Sequence, residues 1–345
     1  MSCSCEKGSV RLRRQLAYLA GRAGEYAITL LVILAINFAL PRLLPGDSFA
    51  YITGSTSSAD YAGALDAHSQ KVLRAYYGLD LSLQEQFVLY LSQLAVGDLG
   101  YSHFFKVSVN QLIAERLPWS MLLVVTGVFV ALVVGVALGV LSAWRRSGNM
   151  DRGLWALLTA LRSVPSFFLG SLLLLIFSVH WNLFPLFGAR DMTLIYPTAL
   201  ERMEDILHHL TLPALTLAMG EVTGKYLLTR AAMLDTLREE YIMFSRARGF
   251  SDTAVMFRHA LPNALIPVIT HTGMRLGVMM GGMIFVESLF GYPGMGKLFV
   301  DAMSARDLQV LQSGFLMTSV VMVVMNLALD LVYVRLDPRV EVTKP

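Results

Sequence analysis

The chain has 345 residues, 55% of them hydrophobic and 15% charged, with a mean hydropathy of +0.57. So little polar surface cannot coat a soluble globule of this length, which excludes an ordinary water-soluble enzyme and points to a bilayer. The net charge of +3 is small and the basic residues cluster beside apolar segments, so nucleic acid is a poor partner.

Taken in chain order, residues 1–25 form a basic tail with Arg11, Arg13, Arg14 and Arg22 and the only cysteines, Cys3 and Cys5. Two thiolates without a histidine or a second pair rarely hold a metal, and they give exported parts no disulfide framework. The apolar run Tyr26 to Leu44 is interrupted by Thr29, Asn37 and Pro41-Arg42. It ends without a small-residue cleavage site, which predicts an uncleaved anchor over 26–45.

Residues 46–116 read as a small external region. A turn at Pro45-Gly46-Asp47 leads to a polar section ending at Ser58, then helical periodicity through Leu73, Tyr76, Tyr77, Phe87, Tyr90, Leu91 and Leu94. Leu117 to Trp144, free of charge, is the clearest membrane segment. The third runs from Pro165 to Phe184, preceded by a helical turn or two carrying Arg162. The fourth, Leu210 to Leu228, contains Glu221 and Lys225; the fifth is Ala264 to Leu289 and the sixth Val310 to Tyr333. Each approaches the roughly 20 residues a helix needs to cross about 30 Å of hydrocarbon. The expected fold class is therefore an all-α integral membrane protein with six transmembrane helices.

Positive charge orients it. The N-terminal tail, the connections Arg145 to Arg162 and Lys225 to Arg258, and the stretch after Tyr333 hold 18 of the 28 Lys and Arg residues. That asymmetry predicts both termini in the cytoplasm.

Charges inside the bilayer cost about 2.5 to 3.5 kcal/mol on insertion scales and often mark a pathway. His271, Arg275, Met279 and Gly282 share one helical face, with Glu221 as the obvious partner of Arg275. Two readings stay open: a structural ion pair, or an arginine that attracts a solute carboxylate while Glu221 sets its field. Lys225 is expected to snorkel, Gly277, Gly281 and Gly282 to admit a neighbouring backbone, and Asn326 and Asp330 to bond neighbouring helices. Adjacent His208 and His209 point to different faces and suggest an interfacial pair, so neither a metal site nor a cofactor is expected. Gly291-Tyr-Pro-Gly-Met-Gly296-Lys297-Leu298 comes within one residue of a phosphate-binding loop. It has Leu298 where Ser or Thr must hold magnesium, and it follows a helix rather than a strand, so a surface or re-entrant turn is the better account.

After the fourth segment, Arg230 to Gly249 is good helix-forming sequence ended by a glycine suited to a C-terminal cap. Ser251 or Asp252 can cap a second short helix ending at Pro262. By itself this fits a basic connector whose Tyr241, Met243, Phe244 and Phe250 rest on lipid headgroups, or a docking element. Gly249 stands at a fixed spacing from Leu261-Pro262, preceded by Glu240-Tyr241 and Ser245-Arg246-Ala247-Arg248. Further motifs are Gly97-Asp98-Leu99-Gly100-Tyr101-Ser102, Glu115-Arg116-Leu117-Pro118, Glu287 to Phe290 with Pro293-Gly294, Arg306-Asp307, Asn326, Asp330 and Leu336-Asp337-Pro338-Arg339.

These residues resemble the permeases of the dipeptide, oligopeptide and nickel branch of ABC importers, with the type-1 transmembrane core. The resemblance departs at the opening Glu-Ala-Ala triplet, where Met243, Phe244 and Ser245 stand. It implies a five-helix core over 117–335, a coupling loop over 230–262 and a cytoplasmic tail over 336–345. It implies that Glu240, Tyr241, Phe244, Arg246, Ala247, Gly249, Phe250, Leu261 and Pro262 engage the ATPase. Glu221, His271, Arg275 and Met279 would line the path.

The implied partners are a homologous permease subunit, two ABC ATPase subunits or domains, an extracytoplasmic substrate-binding protein and the lipid bilayer of the bacterial inner membrane. The chain would hydrolyse no ATP itself and would carry half of the path for short peptides. Two alternatives are import of nickel or a metal chelate by the same architecture, and a proton-coupled secondary transporter using Glu221, His271 and Asp330.

Overall fold

A computed structural model describes residues 21, 24–39, 81–102, 104–146 and 148–336, with side chains given for all of these but 278 and 329–336. The readings of Cys3 and Cys5, of the external section up to residue 80, of the Asp330 side chain and of Asp337-Pro338-Arg339 lie outside it. The described chain is mostly helical. It divides into two compact units, residues 1–118 with 297–327 and residues 119–296 with 328–345.

The first unit contains α1 (Gly24–Ala39), α2 (Leu83–Ala95), a two-stranded hairpin of β1 (Tyr101–Ser102) and β2 (Val107–Ser108), and the start of α3 (Val109–Trp144). Most of α10 (Met295–Ser304) and α11 (Leu308–Leu336) belong to it too. Ser82 opens α2 in a capping box with Glu85, which satisfies two of the helix's orphan amides. Asn37, the polar interruption in α1, exchanges hydrogen bonds with Gln312: its Nδ2 donates to the Gln312 carbonyl at 2.9 Å and its own carbonyl accepts from Gln312 Nε2 at 3.1 Å. The Gly97 to Ser102 motif is a shaped loop. Gly97 and Gly100 have φ of 78° and 89°, and the Leu99 carbonyl accepts from both Gln309 Nε2 and Ser313 Oγ. Ser102 Oγ donates to Asp307 at 2.5 Å, fixing the hairpin to the start of α11.

In the second unit, α6 (Ala199–Thr236) is the element against which the others pack. Its 38 residues run well past both ends of the predicted fourth segment, because helical sequence continues on each side of the apolar stretch. Helix α3 lies against it along Gly127, Ala131, Gly135 and Gly139, spaced four residues apart on one face. A Cβ at Gly135 would sit 2.5 Å from Lys225 Cβ, and one at Gly139 would sit 2.9 Å from the Tyr226 carbonyl. The backbones therefore meet where only glycine fits. The predicted close approach at Gly281 and Gly282 does not occur among the described residues: a Cβ at Gly281 meets nothing within 4 Å, and one at Gly282 meets only Leu217 at 3.9 Å.

The turn or two expected before the third segment is a full amphipathic helix, α4 (Asn149–Arg162). It meets α5 (Ser166–Leu173) at a bend of 101°, because Pro165 can cap a helix start but cannot continue one. Helix α5 widens into a π-helical stretch, Leu174–His180. Helix α9 (Leu261–Leu289) covers the fifth segment. By length and composition two described helices could each cross a membrane, Val109–Trp144 and Leu308–Ala328, and the bent pair α4–α5 offers a third. The charged middles of α6 and α9 lower their apolar character.

Replacing Gly139 by Leu should force α3 and α6 apart and lower stability by about 1 to 3 kcal/mol, the usual cost of overpacking. Thermal unfolding of the purified protein in detergent checks this, with Gly281→Leu as the comparison that should cost less.

Candidate functional site

Helix α6 ends at Thr236, and after a three-residue turn α7 (Glu240–Ala247) begins with Glu239 extended at its N-cap. Gly249, at φ 80°, stops α7. Ser251 then caps the next turn, accepting from the Ala254 amide at 3.3 Å. The second helix was expected to end at Pro262, and it does not. The turn α8 (Asp252–Ala254) passes through a π-helical stretch, Val255–Ala260, directly into α9. Wider i→i+5 bonding, as from the Leu261 amide to the Met256 carbonyl, lets the chain accept a proline with no N–H and no room for the carbonyl four residues back.

The inner face of α7 is locked. Ile242 is fully buried with Val140 and Ala143 of α3, Met233 of α6, and Val255, Ala260 and Ala264, with Leu261 packed on the same cluster. The outer face is open: Met243 and Phe244 are about two-thirds exposed, and Tyr241, Phe250 and Phe257 also reach solvent. The Arg248 guanidinium lies 5.9 Å from the rings of both Phe244 and Phe250, and Phe250 meets the His259 ring at 5.1 Å. Tyr241 Oη accepts from Asn263 Nδ2 at 2.9 Å. Glu240, Arg246, Ala247 and Pro262 are exposed, so of the expected contact residues Leu261 alone turns inward. Arg246 joins Arg146, Arg238 and Asp252 around a cleft of about 370 Å³.

Sequence reasoning missed the anchor beneath this segment. Arg230 makes a bidentate pair with Asp151, Nε to Oδ1 at 2.8 Å and Nη2 to Oδ2 at 2.7 Å. Ser142 Oγ donates to the same carboxylate and sits 2.9 Å from Tyr226 Oη. The paired carboxylate pushes the Arg230 guanidinium above its ordinary pKa. One buried carboxylate thus ties the end of α3, the start of α4 and α6. An acidic residue in the first turn of α4 was the legible signal, but its partner lies 79 residues away.

Deeper in the unit, Arg275 of α9 reaches Glu221 of α6, Nη2 to Oε1 at 2.7 Å and Nε to Oε1 at 3.2 Å. Lys225 does not snorkel. It is 1% exposed, its stem pressed on Gly135, and its amine lies 3.5 Å from Glu221 Oε2 and 3.4 Å from His271 Nδ1. Met279 is buried on α9, one turn beyond Arg275 and two beyond His271. Glu221, Lys225, His271 and Arg275 therefore form one cluster between two helices.

At the other end of α9, Glu287 is fully buried, and its carboxylate accepts from Ser120 Oγ and from the Gly296 amide, both at 2.6 Å. A Cβ at Gly294 would overlap that carboxylate. The loop that mimics a phosphate site thus has an amide engaged by the chain's own anion. Burial and the nearby Glu287 push the Tyr292 phenol well above its ordinary pKa. His208 Nε2 meets the Leu183 carbonyl at 2.7 Å and His209 Nδ1 the Asp205 carbonyl at 2.9 Å. No group of three metal-ligating side chains occurs among the described residues.

Residues 135–342 match the family model described as binding-protein-dependent transport system inner membrane component. The chain is 34% identical to the oligopeptide transport system permease protein AppB of Bacillus subtilis over 327 residues, 94% of this chain and 99% of that one. It is 35% identical to the glutathione transport system permease protein GsiC of Pectobacterium atrosepticum over 312 residues, 90% of this chain and 94% of that one. Among solved structures, a chain of the MetNI methionine ABC transporter in an inward-facing conformation matches with a TM-score of 0.52 at 17% identity, covering 66% of this chain and 97% of that one. That likeness is one of fold.

Breaking the Asp151 pair from one side should be worse than removing it whole. Arg230→Met alone leaves a buried carboxylate without its cation and should cost about 3 to 5 kcal/mol. The double variant Asp151→Leu with Arg230→Met should recover part of that loss, read as a double-mutant cycle of unfolding midpoints.

Proposed function

This chain belongs to the family of binding-protein-dependent transport system inner membrane components, and from that membership we propose how its parts serve a permease subunit of an ATP-driven importer of short peptides. The relatives named for oligopeptide and glutathione transport support peptides over nickel or a metal chelate as cargo. The family works with ATPases and a substrate-binding protein. In our reading this subunit pairs with one homologous permease and two ATPase subunits or domains, and six helices cross the inner membrane with both termini inside. The binding protein meets the external region 46–116 and the outer loops.

The observation that carries the mechanism is α7. Its inner face is fixed to α3 and α6 through Ile242, and its outer face offers Tyr241, Met243 and Phe244 to solvent, with Phe250 exposed just beyond Gly249. An element held on one side and apolar on the other is suited to docking in a cleft on a partner. Tyr241, Phe244 and Phe250 supply apolar contacts, Glu240, Arg246 and Ala247 the rim, Gly249 the turn, and Leu261-Pro262 the re-entry into α9. When the ATPases close on ATP, α7 moves as a rigid body and carries α6 and α9 with it. Glu221, His271, Arg275 and Met279 then lie along the path whose access changes.

Vesicles holding the assembled transporter should take up peptide only with ATP and the binding protein present. Uptake that survives ATP depletion but collapses with the proton gradient would overturn the reading. Within that system Gly249 should rank by backbone rather than size, since a Cβ there meets nothing within 4 Å while φ is 80°. Gly249→Asn should retain more uptake than Gly249→Val, and Gly249→Pro should retain none although the protein still inserts. Phe244→Asp should abolish co-purification of the ATPase, whereas Met303→Asp, an exposed apolar site on α10, should leave it intact.

A further inference from the structure

The cluster around Glu221 holds more positive than negative charge where imbalance is costly. Glu221 is the one carboxylate that Lys225 and Arg275 touch among the described residues, so with His271 neutral the group carries a formal charge of +1. Arg162 adds positive potential at His271. A cluster serving stability alone would be balanced, because each uncompensated charge in a low-dielectric interior is destabilising.

The geometry leaves room for one more anion, on one side only. Arg275 uses Nε and Nη2 on Glu221, and its Nη1 has no partner among the described residues. Its side chain is 39% exposed, against 7% for Glu221 and 1% for Lys225. Lys225 meanwhile sits 3.5 Å from Oε2, the carboxylate oxygen farther from Arg275, where full charge-assisted contact needs about 2.7 to 2.9 Å. The Lys225 contact is a long one, with room for Glu221 to tighten on it.

We propose that this is a carboxylate-exchange site: an anionic group on the passing solute takes Arg275, and Glu221 shifts under an ångström or so to Lys225. No buried charge is stranded during the exchange, and the occupied cluster is neutral. The solute class this selects is a peptide presenting a free carboxylate toward α9. The inference rests on the reading of these residues as part of the path.

The test uses the complete transporter in vesicles with a tripeptide and its C-terminal amide, each at a concentration that saturates the binding protein. The readout is the ratio of initial uptake rates, acid over amide. Glu221→Gln frees Arg275 and should raise the ratio. Arg275→Gln should lower it toward one, leaving the two variants at least about tenfold apart, while Arg275→Lys should stay near the original. A structural pair predicts that both glutamine variants slow acid and amide alike, and an unchanged ratio or a shift in the same direction for both overturns the proposal. Should Arg275→Gln fail to assemble, Glu221→Gln is read against the original chain and absence of a rise is decisive. Loss of all ATP-driven uptake in the original chain would instead defeat the importer reading.

Discussion

The second unit depends on the close approach of α3 and α6 through glycine. Without side chains at Gly135 and Gly139, the α3 backbone comes near enough to the Val222 and Tyr226 carbonyls for dispersion contacts along the whole stripe. In a bilayer, where apolar burial gives little net drive, such packing and polar bonding between helices are what remains. Because α3 is pressed on α6, the Lys225 stem is trapped, Tyr226 is brought to Ser142, and Ile242 finds Val140 and Ala143. The charged cluster and the seat of α7 are both consequences of that one contact.

Helix α6 accordingly links two polar sites spaced along its length. Glu221 and Lys225 face α9, and Arg230, farther along, is held by Asp151. Within the span of the first, Thr223 donates to the Leu158 carbonyl of α4 at 2.9 Å. Two of these bonds join α6 to α4 and the other joins it to α9, so this stretch of α6 is braced from two sides. Regular helix geometry is interrupted at the three-residue turn before α7, at the positive-φ Gly249, and in the π-helical stretch before Pro262, where the backbone bonds reach one residue farther back.

Both units handle buried polar groups by pairing them with loop backbone. The Gly294 to Gly296 turn closes on Glu287, and the Leu99 carbonyl is shared by Gln309 and Ser313. The glycines in these motifs are needed for different reasons. Gly294 leaves room for a carboxylate, whereas Gly97 and Gly100 supply backbone conformations that other residues strain to adopt. A pattern resembling a nucleotide loop thus arises from the need to enclose an internal anion.

Composition and apolar run length were enough to place the chain in a membrane, because the excess of apolar residues is a property of the sequence and not of its arrangement. The strand-free reading of the helical segments and the stop at Gly249 were legible for similar reasons, since chain propensity and a φ that favours glycine act locally. The full length of α4, the unbroken passage through Pro262 and the glycines that matter were decided by tertiary structure. Gly135 and Gly281 look alike in the sequence, and only a neighbour at the one position tells them apart. Likewise Lys225 reads as a residue free to reach water until Gly135 closes over its stem, and Asp151 reads as a helix-start acid until Arg230 arrives from 79 residues away. Local rules marked the stop at Gly249 but not the passage through Pro262; which charges meet between helices depends on contacts across the fold, and those have no trace in the sequence of either partner alone.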